Sequence, residues 1–291
     1  MAERTDIFIG KVVNNMHNEV ININTGVESR SDYQPTLTTY ILENVPTDAK
    51  NAPKRPAVII CPGGGYAYTS DREAEPVAMR MVAAGYHAFI VRYSCAPAVF
   101  PTQVLEIAKA VEIVRSHADE WNIDTDKIIV GGFSAGGHAA ASLAVFWDKE
   151  FVWKALGTTK DMIKPNGAML CYPVITSGEY AHRGSFDNAL AENKADEKML
   201  ELLSLEKQVT SMMPPTFLWH TWEDGAVPVE NTLKLALALR ENKISTEIHI
   251  YPHGPHGLSL ANEETSVGDP KLVVEACQNW IDRAITWIKG L

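Results

Sequence analysis

The chain has 291 residues, of which 46% are hydrophobic and 21% charged, enough to bury a continuous core in one large α/β domain or two small ones. A net charge of -10 without any long basic run excludes the Lys/Arg-rich surfaces that favour nucleic acid or an anionic membrane. Four scattered cysteines (Cys61, Cys95, Cys171 and Cys277) form no Cys-x-x-Cys pair, which argues against a zinc ribbon or redox couple and for free thiols in a reducing compartment.

Met1 to Val13 is mixed polar and lacks the apolar core of a signal peptide, so the expected location is cytoplasmic. No stretch approaches the ~20 apolar residues that span a bilayer. Glu19 to Asn24 reads as an added strand and Thr36 to Leu42 as a second one. A polar Pro/Asp/Lys stretch then leads to a strand over Ala57 to Cys61. Ala74, Val77, Ala78, Met81 and Val82 share one helical face, and Gly85 closes that helix. His87 to Val91 is a strand. Val104, Ile107, Ala108, Val111 and Val114 mark an amphipathic helix.

The apolar run Lys127 to Val130 is followed by Gly131-Gly132-Phe133-Ser134-Ala135-Gly136-Gly137. This is strand, sharp turn and small-residue helix, with Gly-x-Ser-x-Gly placing one serine at the apex. Next come a strand over Gly167 to Cys171 and a long segment from about 173 to 213. That segment contains a helical piece, Lys194 to Leu205, and reads as a lid or pocket wall. Pro215 to His220 is a strand, Val229 to Glu241 a helix and Thr246 to Tyr251 a strand. The last helix is expected to open at Asp269-Pro270, with Val273, Cys277, Trp280, Ile281, Ala284 and Ile288 on its apolar face. Continuous apolar strands alternating with amphipathic helices imply one domain with a largely parallel sheet covered on both faces. Ligands bind at the carboxyl ends of such strands.

A serine hydroxyl needs a base to accept its proton as it attacks. Among nine histidines, His256 is best placed, in a loop after the last strand and at the same rim as Ser134. His253 is its rival, and His253-x-x-His256 resembles a metal pair. No carboxylate or cysteine cluster supplies the third ligand a catalytic zinc requires, so neither metal nor cofactor is expected. His220 reads as structural, and His138, one turn beyond Ser134, as packing near the elbow. Asp224, in a tight turn after a strand, is the candidate acid, with Glu223 beside it as the rival. The order Ser134, Asp224, His256 is the serine–acid–histidine order of one triad lineage. Pro62-Gly63-Gly64-Gly65-Tyr66 follows the strand ending at Cys61. Its Gly64 and Gly65 amides, with that of Ala135, are candidate oxyanion donors.

These motifs, with Asp71-Arg72-Glu73-Ala74-Glu75-Pro76, Trp219-His220-Thr221 and Pro252-His253-Gly254-Pro255-His256-Gly257-Leu258, resemble the small carbohydrate-type esterases of the α/β-hydrolase family. The likeness is to the acetyl-esterase, acetylxylan-esterase and feruloyl-esterase-like group. It covers the chain from about Thr36 onward and leaves residues 1–35 as an N-terminal extension. It implies Ser134 as nucleophile, Asp224 as orienting acid, His256 as base, and Gly64, Gly65 and Ala135 as the oxyanion hole. Many relatives carry His-Gly-Gly in the oxyanion loop, and here Pro62 stands where that histidine falls.

The expected reaction is hydrolysis of short-chain acyl esters, acetyl above all, of sugars or xylo-oligosaccharides through an acyl-enzyme. The expected partner is therefore a small-molecule or oligosaccharide ester. Tyr66, Ser70, Arg72, Tyr172 and Trp222 are the candidate substrate contacts, and Phe133 a further wall of a small pocket. The alternatives are a small serine peptidase or aminopeptidase of the same fold, or a non-catalytic binding module.

Overall fold

A computed structural model describes residues 16–43 and 53–291. The reading of Met1 to Val13 and the middle of the polar stretch before residue 53 lie outside the described residues. The strands are β1 (Val20–Asn22), β2 (Thr36–Tyr40), β3 (Arg55–Cys61), β4 (His87–Arg92), β5 (Ile123–Phe133), β6 (Gly167–Cys171), β7 (Thr216–Thr221) and β8 (Thr246–Tyr251). They form one eight-stranded sheet in the order β1-β2-β4-β3-β5-β6-β7-β8. β3 through β8 run parallel; only β1–β2 and β2–β4 pair antiparallel.

The helices are α1 (Glu75–Ala83), α2 (Thr102–Ser116), α3 (Ser134–Phe146), α4 (Glu150–Trp153), α5 (Lys160–Ile163), α6 (Arg183–Leu190), α7 (Glu197–Leu202), α8 (Glu230–Glu241), α9 (Glu263–Ser266) and α10 (Trp280–Gly290). Strand side chains alternate between two cores because successive Cβ atoms point to opposite faces. In β3, Ala57, Ile59 and Cys61 join α2, α3 and α8 on one face, whereas Val58 and Ile60 join α1 and α10 on the other. Both faces being covered explains why the central strands read as unbroken apolar runs.

Two helical readings are corrected. Asp269 does cap, accepting from the Lys271 N–H at 3.0 Å, but it caps only a 3-10 turn over Pro270–Leu272. Val273 and Val274 then turn extended (φ -98° and -125°), and the Val274 N–H donates to the Ala261 carbonyl at 2.9 Å. Adjacent β-branched residues favour that conformation, and the long helix waits until Trp280. In the segment after β6, the predicted helix is confined to α7, where Asp196 accepts from the Lys198 and Met199 amides. The unpredicted α6, Arg-Gly-Ser-Phe-Asp-Asn-Ala-Leu, has weak helix propensity and forms because Phe186, Ala189 and Leu190 are buried in the first core. Among the described residues no helix is long and apolar enough to cross a membrane.

Candidate active site

β5 ends and α3 begins at Ser134, which holds φ at +53°. A non-glycine residue in this left-handed region is strained, and its surroundings must enforce it. Close backbone approach does so. A Cβ on Gly132 would lie 2.1 Å from the Gly136 carbonyl oxygen, and one on Gly136 would lie 2.2 Å from that of Cys61. Only glycine fits at either position. The turn aims the Ser134 hydroxyl into a cavity of about 390 Å³ at the carboxyl ends of the strands, which His256 also lines.

The structure brings Ser134, His256 and Asp224 together. Ser134 Oγ lies 2.7 Å from His256 Nε2, and His256 Nδ1 lies 2.6 Å from Asp224 Oδ2. The carboxylate fixes the proton on Nδ1, leaving Nε2 to accept from the serine hydroxyl. The other carboxylate oxygen, Oδ1, accepts from the Ala226 and Val227 amides at 3.0 and 2.9 Å. This is the tight turn that the sequence placed after β7. The two rivals pair with each other instead: His253 Nδ1 sits 2.9 Å from Glu223 Oε1 on the exposed surface.

His220 is more than the structural residue the sequence suggested. Fully buried at the end of β7, its Nε2 faces both Asp224 Oδ2 at 3.2 Å and the Val227 carbonyl at 2.9 Å. Two acceptors on one nitrogen place the proton there, so His220 is a second donor to the acid. Burial pushes the Asp224 carboxyl upward, but hydrogen bonds from His220 and His256 outweigh it and hold the group well below the ordinary carboxylate range. The result is a fixed negative charge beside His256.

The glycine loop after β3, Pro62 to Tyr66, has several anchors. Glu73 is buried beneath it and accepts from the Gly63 N–H at 2.8 Å through Oε2, and from the Tyr172 hydroxyl at 2.7 Å through Oε1. The Tyr93 hydroxyl donates to the Pro62 carbonyl at 2.6 Å, and Asn188 Nδ2 to that of Gly65 at 2.8 Å. His138 receives the Tyr66 hydroxyl on Nδ1 at 2.8 Å and gives its Nε2 proton to the Leu203 carbonyl at 2.9 Å. Burial pulls its pKa down to about 4, so it stays neutral. So held, the loop keeps Gly64 at φ +130° and Gly65 at +63°. Among the described residues no acceptor meets either amide. Ala135 is the second residue of α3, where the amide has no partner within its helix.

Of the five predicted substrate contacts, Ser70 and Arg72 line the cavity. The other three are corrected. Tyr66 and Tyr172 are buried with their hydroxyls engaged, Tyr66 on His138 and Tyr172 between Glu73 and the Ser259 amide, which donates to it at 2.9 Å. Trp222 is exposed and outside the cavity lining. Phe133, offered as a wall, is packed between Tyr172 and Trp280. Tyr68, His182 and Glu73 border the cavity without having been predicted. Glu73 lies within the Asp71-to-Pro76 motif, in a 3-10 turn just before α1. Burial and the neighbouring His256 lower the pKa of His182, and Ser185 Oγ holds its Nδ1 at 2.8 Å. No group of three His, Cys, Asp or Glu residues able to hold a metal occurs among the described residues.

The BD-FAE family model matches residues 44–239, most of the chain, a span that includes the Pro62–Tyr66 loop, Ser134 and Asp224 and ends before His256. The chain belongs to the BD-FAE family. Among curated proteins similar to this BD-FAE member is endo-1,4-beta-xylanase B of Butyrivibrio fibrisolvens, 40% identical over 216 residues, covering 72% of this chain and 34% of that protein. Another is an acetylxylan esterase of Xylanibacter ruminicola, 30% identical over 213 residues, covering 72% of this chain and 42% of that protein. The chain thus spans less than half the length of these relatives. Among solved structures, an acetyl ester-xyloside bifunctional hydrolase from Caldicellulosiruptor lactoaceticus has TM-score 0.79 and 32% identity, over 97% of this chain and 98% of that one. A carboxylesterase of Lactobacillus plantarum has TM-score 0.81 and 28% identity, over 94% and 98%. The fold is that of the α/β-hydrolases.

Proposed function

We propose that this chain is a serine hydrolase of short acyl esters, acetyl esters of sugars or xylo-oligosaccharides above all. The observation that carries the reading is the continuous contact Ser134–His256–Asp224, 2.7 and 2.6 Å, opening into a cavity beside two unpartnered glycine amides. Ser134 Oγ attacks the ester carbonyl carbon while His256 Nε2 takes its proton. Negative charge gathers on the carbonyl oxygen, facing the amides of Gly64, Gly65 and Ala135. Each such donor is worth about 2.7–4 kcal/mol of barrier. The C–O bond then breaks, and the alcohol leaves with the proton from His256. Water repeats the sequence on the acyl-enzyme.

A small acyl group fits because Arg72, Glu73 and His182 border the space around Ser134. A long alkyl chain there would strip water from polar groups without replacing it. The names of the acetylxylan esterase and the acetyl ester-xyloside hydrolase support the sugar acetate. The test is a series of p-nitrophenyl esters of rising chain length beside acetylated xylo-oligosaccharides. The acetate is expected to show the highest kcat/KM, with a steady fall as the chain lengthens. Turnover of amino-acid anilides without ester hydrolysis would point to a peptidase. Silence on both would point to a binding module.

Glu73 is a positioning residue in this scheme. Through Gly63 it holds the oxyanion loop, and through Tyr172 it reaches the loop that carries His256. The Tyr172 ring stands edge-on to His256 at 5.1 Å, and its hydroxyl receives the Ser259 amide. Glu73→Gln replaces one acceptor with a donor, so either the Gly63 N–H or the Tyr172 O–H loses the acceptor for its proton. The expected result is a drop in kcat of about a hundredfold, because displacing the donors by a fraction of an ångström weakens transition-state contacts more than ground-state ones. KM should change little. A matching rise in KM with kcat intact would assign Glu73 to substrate binding instead.

A further inference from the structure

A second cavity of about 340 Å³ adjoins the first, and the two share Tyr68 in their walls. The strand topology explains why it lies there. β2 is antiparallel to β4, with Thr36 opposite Arg92, so the residues just before β2 fall at the carboxyl rim where Ser134 opens. Ser31 and Tyr33 therefore face the loop carrying Tyr68 and Thr69 across a cleft whose walls also include Tyr93, Cys95 and Ala96. The segment is tied down at several points. The Tyr33 amide donates to Ser31 Oγ at 3.1 Å, Gln34 Nε2 to the Ile23 carbonyl at 2.9 Å, and Arg30 pairs with Glu192 beyond α6.

The chemistry of the walls selects a class of ligand. Two tyrosine rings stay open, Tyr33 at 50% and Tyr68 at 64% exposure, and hydroxyls of Ser31 and Thr69 stand beside them. Among the described residues no charged side chain lines the cleft, although the chain as a whole carries -10. The Arg92 guanidinium, whose charge reaches Tyr33, is bonded to Thr69 at 3.1 Å and to Asp71 at 2.6 Å. Open aromatic faces, neutral walls and a few hydroxyls suit a neutral polyhydroxylated ring, whose C–H face lies on the aromatic surface while its hydroxyls find polar partners.

We infer that the cleft between Tyr33 and Tyr68 binds the oligosaccharide portion of the substrate, and that residues of the N-terminal extension complete it. This rests on the sugar-ester reading above for the identity of the ligand, but its test does not depend on turnover. Isothermal titration of the intact protein with xylotetraose, which carries no ester, reads the cleft directly. Tyr33→Ala is expected to weaken binding about tenfold and Tyr33→Phe to preserve it, since stacking and not the phenol is used. Ala96→Trp, which projects a large side chain into the cleft from another element, should abolish binding even where Tyr33→Ala folds poorly. On acetylated xylo-oligosaccharides the Tyr33→Ala loss should appear as raised KM, with p-nitrophenyl acetate hydrolysis as the reference.

Failure of the parent protein to bind xylotetraose, or equal binding by Tyr33→Ala and Ala96→Trp, overturns the inference. So does a Tyr33→Ala defect seen on aromatic acyl esters but not on sugar acetates, because the cleft would then serve the acid half. Loss of all ester hydrolysis with xylotetraose binding intact would instead remove the hydrolase reading and leave the cleft standing.

Discussion

Ser134→Ala is expected to lower ester turnover on the order of 10^5–10^6-fold while the protein remains folded. The single side-chain hydrogen bond of Ser134 runs to His256, so removing the hydroxyl takes away the attacking atom and little packing. His256→Ala should cost about as much, because members of one proton-transfer unit do not contribute additively. His253→Ala should change little, since that ring lies on the surface paired with Glu223. Intact-mass analysis after acid quench adds an independent reading: parent protein mixed with excess p-nitrophenyl acetate should carry one acetyl group, and Ser134→Ala none. Ser134→Gly separates chemistry from strain. It is equally inactive, yet should melt at a higher temperature than Ser134→Ala, because at φ +53° alanine bears a left-handed penalty of about 1 kcal/mol that glycine avoids. Parental activity in Ser134→Ala, or a reversal of roles between His253 and His256, would defeat the assignment.

What could be read in the sequence divides along physical lines. Parallel strands buried on both faces announce themselves as apolar runs, and Gly167–Cys171 falls where the pattern put it, whereas the edge strand Thr246–Tyr251 is only half-buried and mixes polar with apolar residues. The elbow is legible because its glycines answer to collisions within one short turn. Ser134, Asp224 and His256 are legible because each follows a strand end at one rim of the sheet. Side-chain direction is not legible in the same way. Tyr66 and Tyr172 look like pocket walls because they follow strands, but both sit at positive φ (59° and 37°), and those turns send their rings inward. Glu73 was hidden because nothing local distinguishes a carboxylate bound to a remote amide from a solvated one. Its partners, Gly63 and Tyr172, lie 10 and 99 positions away. The last helix failed for a related reason: an Asp-Pro cap signals a start but not a length, and two valines ended the turn it began.

Asp224→Asn is expected to lower kcat by about 10^4-fold, almost as severe as losing the serine, though the side chain keeps its shape. The Ala226 and Val227 amides can still bind the remaining carbonyl oxygen, so the turn should survive. At the other position an NH2 group now faces His256 Nδ1. The imidazole answers by accepting there and moving its proton to Nε2, where it confronts the Ser134 hydroxyl and no longer removes its proton. His220 worsens the conflict, because its Nε2 proton, shared with the Val227 carbonyl, meets a donor in place of an acceptor. Stability should respond in a pH-dependent way that catalysis does not share. The Asp224 carboxyl is held below its unfolded value, so it stabilises the fold fully above about pH 4, and that contribution is lost as pH falls through the lowered folded-state value. The stability gap between parent and Asp224→Asn should therefore be level near neutrality and narrow in acid, as measured by denaturant midpoints across pH. A gap that widens in acid would mean that the carboxylate is not the charged partner of His220 and His256.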